Sequence, residues 1–159
     1  METQRNKQAI GYRIRWMIRR DLPDVLRIES KSFEFPWSEE DFLGCLRRRN
    51  CVGLSAEDDG ERVIGFLIYD LHQHHLNILS LAIDPQYIRQ GIGSAFIAKL
   101  KEKLRQQRRE AISTVVRERN LPAQLFFRSQ GFKAIGTIRN HYEDTDEDAI
   151  VFCFELGAE

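Results

Sequence analysis

Residues 78–100 read ILSLAIDPQYIRQGIGSAFIAKL: an apolar run, a proline turn, two glycines one residue apart, then apolar residues at helical spacing. Glycine removes Cβ where a backbone must turn sharply or lie close to something bulky. Bare N–H groups at the positive end of a helix form a pocket for phosphate oxygens, and Arg89 adds a charge-assisted donor. The fragment alone equally fits a helix start that needs glycine only to turn. It lacks a Walker-type GK[ST], and the third glycine of a GxGxxG pattern falls at Phe96.

Composition bounds the answer. The chain has 159 residues, enough to close one core without disulfides or metal, and one domain over 10–157 is expected behind a flexible tail at 1–9. Its 24 basic and 24 acidic side chains cancel, which favours neither disorder nor nucleic-acid binding. No apolar run reaches the roughly 18 residues that cross a bilayer, and the start lacks a signal-peptide core, so no membrane partner and a cytoplasmic location are expected. The 3 cysteines, Cys45, Cys51 and Cys153, form no CxxC pair and are expected as reduced thiols. His72, His74 and His75 have no evident acidic or cysteine partner, so no metal is expected.

Working outward from the glycine turn, Leu76–Ile83 reads as a strand and Ala95, Phe96, Leu100 and Leu104 as one face of a helix. Upstream, Tyr12–Ile18 alternates as a strand. Asp21 then caps a helix whose buried stripe is Leu22, Val25, Leu26 and Ile28, ending near Phe33. Pro36 breaks the chain, and Ser38 with Asp41 caps a second helix to about Arg49. Cys51–Glu57 and Val63–Leu71 form a hairpin across DDGE. Downstream come strand AISTVV, helix PAQLFFRSQG, strand KAIGTIRN, an acidic turn and strand DAIVFCFEL. The order β-α-α-β-β-β-α-β-α-β-β predicts an α/β (mixed α+β) domain, a mixed sheet covered by helices.

The string LAIDPQYIRQGIGSAFIAKL resembles the acetyl-CoA motif of the GNAT N-acetyltransferases, R/Q-x-x-G-x-G/A between a strand and a long helix. FPWSEEDF, VVRERN with LFFRSQGF, and RNHYEDTDEDAIVF extend the likeness from about Ile14 to Phe154. Together they resemble the RimI type, the bacterial ribosomal-protein alanine N-acetyltransferases. The resemblance implies the GNAT acyl-CoA N-acyltransferase fold, a central mixed sheet of about seven strands with about four helices. It also implies acetyl-CoA as cofactor and a protein or peptide N-terminus as acceptor, with a ribosomal protein among the candidates. A monomer or homodimer is expected.

Carried over by position, Leu81, Ala82 and Ile83 match a bulged strand whose N–H groups hold the pantetheine arm and the thioester oxygen. Such preset donors contribute on the order of 3 kcal/mol each. Arg89, Gln90, Gly91, Ile92, Gly93 and Ser94 match the diphosphate cradle. Asn120 matches a cofactor-contacting asparagine, a role compatible with capping the helix at Leu121. Phe35, Pro36 and Trp37 match the wall that receives the substrate N-terminus, or else a core anchor between two helices. The acidic turn, residues 143–148, either attracts a basic peptide or is a solvated hairpin.

Two positions depart from the RimI pattern. The general-base glutamate is replaced by Val115, and the general-acid tyrosine by Phe127, which is instead expected among the cofactor contacts. A peptide α-amine, with a pKa of about 7.7 to 8.0, is about one-tenth neutral near pH 7, whereas a lysine amine near 10.4 is almost wholly charged. A site without a carboxylate base therefore serves an α-amine better than a lysine, with a rate that rises through the amine's own pKa. Tyr142, Glu34 and Asn77 are the remaining candidates for proton handling, with Tyr142 also a candidate substrate contact or a packed hairpin aromatic. Two other readings stay open: a small-molecule amine as acceptor, or an acyl-CoA sensor without turnover.

Overall fold

The computed structural model describes residues 10–157, so the expected tail at 1–9 lies outside the described residues. The chain runs β1 (Tyr12–Trp16), α1 (Leu22–Ser32), α2 (Glu39–Leu46), β2 (Cys51–Asp58), β3 (Val63–Leu71), β4 (His75–Ile83), α3 (Ile92–Gln106), β5 (Ala111–Arg117), α4 (Leu121–Ser129), β6 (Lys133–Tyr142) and β7 (Glu147–Glu155). These strands form one seven-stranded sheet in the order β1-β2-β3-β4-β5-β7-β6. Only β4 and β5 run parallel, and α3 is the crossover between them. Among the described residues no helix is long and apolar enough to cross a membrane.

Each face of the sheet carries its own core. Phe96, Ile97, Leu100 and Leu104 of α3 and Phe127 of α4 bury against one face with Leu67, Leu76, Ile112 and Phe152. Leu22, Val25 and Ile28 of α1 and Phe42 of α2 bury against the other with Val63, Phe66 and Ile68. The unbroken burial of β3 follows from this: it is covered on both sides, and its first eight residues are all buried.

Several local expectations change. Ser38 caps α2 as the sequence implies, its Oγ accepting from Asp41 N at 3.2 Å, but the helix stops at Leu46 instead of near Arg49. Asp21 does not cap α1. Its carboxylate accepts from Ile18 N at 2.9 Å, Ser55 Oγ at 3.0 Å and Arg15 at 2.7 and 2.9 Å, so a long-range buried ion pair takes the side chain away from the helix. Arg15 also pairs with Glu57, which fastens β1 to β2.

The decisive irregularity lies in β4. Ile68 faces Ser80 and Tyr69 faces Ile78, so Leu79 is an extra residue on the β4 side of the ladder. The bulge thus falls two residues before Leu81, the first of the three positions, Leu81 to Ile83, that the resemblance matches to it. Pairing with β5 covers only His75–Ile78 against Ala111–Thr114. Beyond Ile78 the parallel strands separate, and β5 continues beside β7 alone.

Candidate active site

A cavity of about 430 Å³ occupies the gap where β4 and β5 separate. Leu79, Ser80 and Leu81 line it from β4, and Thr114 to Arg117 from β5. The end of α1, the FPW segment, the start of α4 and the β6–β7 hairpin close its other sides.

The glycine turn leaves β4 through Asp84, whose Oδ1 accepts from Gln86 N at 3.1 Å and whose Oδ2 accepts from Arg27 at 2.8 Å. Burial alone would raise this carboxyl, yet Arg27 and the Gln86 N–H hold it below the usual carboxylate range. Arg27 thereby ties α1 to the base of the turn. Among the described residues no N–H from Arg89 to Ser94 finds a protein acceptor; the first backbone bond of the helix runs from Ala95 N to Gly91 O at 2.9 Å. Gly91 has φ +80°, and a Cβ there would meet nothing within 4 Å. Arg89 also adopts a left-handed conformation, at φ 63°. Gly93 has a different reason for being glycine: its missing Cβ would lie 3.2 Å from the Phe126 ring of α4. The Ile92 side chain is in the core, 1% exposed, so only its N–H faces the turn's ligand side. Ser94 Oγ accepts from Gln130 Nε2 at 3.0 Å.

Of the other expected residues, Glu34, Phe35, Trp37, Leu81, Asn120, Phe127 and Tyr142 line the cavity. Asn120 Oδ1 accepts from Ala123 N at 3.2 Å, so it caps α4 while facing the cavity. Trp37 packs on Phe42 at 5.1 Å between ring centres, which makes it a cavity wall and a core anchor at once. Two expectations, those for Asn77 and Pro36, are not met by placement. Asn77 belongs to the paired part of β4, accepts from Ser113 Oγ at 3.2 Å, and is absent from the cavity lining. Pro36 is exposed outside the lining. The Ala82 side chain is buried beneath α1 and that of Ile83 packs towards the α3 core, while the expectation for these two concerns their main-chain N–H groups.

Two side chains that the sequence reading did not single out are also in the lining, Arg117 and Glu29. Arg117 is held by Asp144 at 2.9 Å and Glu147 at 3.5 Å. Its guanidinium lies 3.8 Å from the Tyr142 ring centre and 4.7 Å from that of Phe35. This one residue joins β5, the hairpin and the FPW segment, and it engages two acids of the turn. Tyr142 is half-buried, and burial pushes its phenol above the ordinary value against the opposing pull of Arg117. Glu29 of α1 is the second of them, a carboxylate only 2% exposed. Its sequence signal is a charged residue directly beside Ile28 on the buried face of an amphipathic helix.

Residues 13–132 match the acetyltransferase (GNAT) family. The ribosomal protein bS18-alanine N-acetyltransferase of Escherichia coli K12 is 30% identical over 86% of this chain and 93% of its own length. An N-alpha-acetyltransferase of Sulfurisphaera tokodaii is 27% identical over 98% of this chain and its full length, 100%. In structure, the ribosomal-protein-S18-alanine N-acetyltransferase from Escherichia coli superposes with a TM-score of 0.82 at 28% identity, covering 94% of this chain and 96% of that one. With a seven-stranded sheet parted between β4 and β5, a bare glycine turn opening α3, and these likenesses, the chain belongs to the acetyltransferase (GNAT) family and is an N-acetyltransferase.

Proposed function

We propose that the protein transfers an acetyl group from acetyl-CoA to the N-terminal α-amine of a protein or peptide in the cytoplasm, by direct attack within a ternary complex, with a ribosomal protein among its acceptors. The observation that carries this reading is the parting of β4 from β5 directly ahead of a helix N-terminus whose N–H groups from residue 89 to 94 have no protein acceptor among the described residues. That pair of features fits a long cofactor with a diphosphate at one end and a thioester at the other. The open space at Gly91 fits it too.

When bound, acetyl-CoA supplies an acetyl thioester. Residues 89–94 hold its phosphates through main-chain N–H groups and the Arg89 side chain. The N–H groups past the Leu79 bulge, at Leu81 above all, polarise the carbonyl oxygen, and Asn120 and Phe127 border the arm that reaches it. Phe35, Trp37 and Tyr142 receive the acceptor's first residue. None of the three cysteines lines the cavity, and burial pushes the Cys51 thiol up to about 12, so the chain offers no thiolate for an acyl-enzyme there. The likeness to relatives named for alanine and N-alpha acetylation supports an α-amine over a lysine.

Incubation with acetyl-CoA and a panel of peptide N-termini, lysine peptides and small amines tests this by thiol release. Release with peptide N-termini over the other classes is expected. Release with small amines alone, or binding of acetyl-CoA with no release at all, overturns it.

A further inference from the structure

Glu29 is costly where it stands. Its neighbours along α1, Leu22, Val25 and Ile28, are buried in the core, and a carboxylate among them gives up most of its hydration. Ordinarily a cation offsets that cost, but among the described residues no ion pair reaches Glu29. It is held by two neutral donors instead: Trp37 N gives a hydrogen bond to Oε1 at 3.1 Å, and Ser80 Oγ gives one to Oε2 at 3.1 Å. These come from the FPW wall and from the residue next to the Leu79 bulge. The carboxylate is therefore strung between the segment assigned to the acceptor and the strand assigned to the thioester.

Two hydrogen bonds leave lone pairs free on both oxygens. Burial raises the carboxyl above its ordinary value, and the Trp37 and Ser80 bonds oppose the rise without cancelling it. The other titratable groups of the cavity are Glu34 beyond α1, Arg117 and Arg119 at the end of β5, and Tyr142 and Glu147 of the hairpin. Arg117 is already engaged by Asp144 and Glu147. An anionic, uncompensated group in the same lining as Val115 lacks one thing, a cation, and an unacetylated N-terminus brings one.

We propose that Glu29 receives the acceptor's α-ammonium and takes the proton that this nitrogen must lose before it attacks. The base of this cleft then comes from α1, in place of the β5 position occupied by Val115. The inference rests on the reading of the protein as an N-terminal acetyltransferase. In the step, one N–H bond of the ammonium breaks and an O–H bond forms on Glu29. The freed electron pair makes the N–C bond, the C–S bond breaks with its pair on sulfur, and a second proton from nitrogen completes the thiol. Glu29 returns its proton to solvent. A carboxylate can take a proton from an α-ammonium far more readily than from a lysine ammonium, some 2.5 pKa units more basic, so the same residue favours the acceptor class.

Glu29→Gln keeps the shape and the Trp37 bond, and its amide can donate to Ser80 Oγ. Two measurements need no acetyl-CoA. Calorimetry compares a peptide with a free N-terminus against the same peptide N-formylated: wild type should prefer the free amine by about tenfold or more, and the variant should bind both alike. Thermal melting at pH 8 should show the variant at least as stable as wild type. Because the folded-state pKa is raised, ionised Glu29 costs stability as pH climbs through and beyond the ordinary glutamate value, and Gln removes that cost. With acetyl-CoA, whose affinity should not change, kcat/KM at pH 7 should fall about 10² to 10⁴-fold. Unchanged discrimination and unchanged kcat/KM in the variant overturn the proposal.

Should Glu29→Gln fail to fold, Ser80→Ala decides: loss of that bond should move the acidic limb of the kcat/KM profile to higher pH, and an unmoved limb overturns the assignment. Should wild type acetylate small amines only, the acceptor reading falls by itself, and Glu29 is then judged with that amine against its N-formyl derivative. Equal binding of those two by wild type sinks it.

Discussion

The two sides of the cavity are made of different material. On the proposed cofactor side the groups left without a protein acceptor are main-chain N–H groups of one continuous stretch, 89–94, to which Arg89 adds its side chain. On the proposed acceptor side the cavity is lined by the side chains of Glu29, Phe35, Trp37, Arg117 and Tyr142, drawn from α1, the FPW segment, β5 and β6. A turn built from backbone has few solutions and leaves a compact trace in sequence. A wall assembled from four segments can change residue by residue, and Val115 of β5 stands in it where the resemblance implies a glutamate.

The largest expected effect tests whether the cofactor side truly depends on its support from α1. Asp84→Ala leaves Arg27 facing a lost partner and removes the brace of the turn, and breaking a largely buried pair costs about 3 kcal/mol. Melting temperature should fall by about 6 to 12 °C at neutral pH. The sign with pH follows from the depressed carboxyl: its contribution is complete above the ordinary aspartate value and is lost as pH falls through the lower folded-state value, so variant and wild type should converge in acid. A constant gap across that range would break the account.

Next in size is Gly91→Val. At φ +80° a β-branched residue costs about 1–2 kcal/mol or more although its side chain meets open space, so acetyl-CoA affinity measured by calorimetry should drop at least about fivefold while acceptor-peptide affinity stays put. Arg117→Ala should do the reverse: the loss of its stacking on Tyr142 and Phe35 raises acceptor KM by about threefold to tenfold with acetyl-CoA affinity unchanged. Smallest is Asn77→Ala, for which steady-state kinetics should stay within about twofold, since only the bond from Ser113 is lost, a matter of about 1 kcal/mol. If Gly91→Val and Arg117→Ala each weaken both ligands equally, the division into two sides fails.

Sequence reading recovered what is local and periodic. The element order emerged from the apolar run Val63–Leu71, paired across DDGE with Cys51–Glu57, and from the Ala95, Phe96, Leu100, Leu104 face, because each of these patterns is local in the chain. Features set by distant partners did not emerge. Asp21 looks like a helix cap until Arg15 and Ser55 are brought beside it from other strands. The bulge at Leu79 depends on register against β3, which no single strand encodes. Asn77 looked adjacent to the chemistry because it lies on the right strand, yet it sits before the point where β4 leaves β5. Glu29 was passed over because a lone carboxylate on an amphipathic helix usually faces solvent; its burial appears only once Trp37 and Ser80 close around it.

The outermost strand, β6, is exposed along nearly its whole length, with Ile135 64% accessible. Its ladder with β7 is interrupted at Ile135 and again at 139–141, and Asn140 turns left-handed there at φ 49°. A straight margin of this length would offer a neighbouring chain a ready place to zip on, but a twice-broken one flanked by Lys133 and Arg139 does not. The interruptions that precede Tyr142 at the cavity therefore also make this edge a poor template for a further strand.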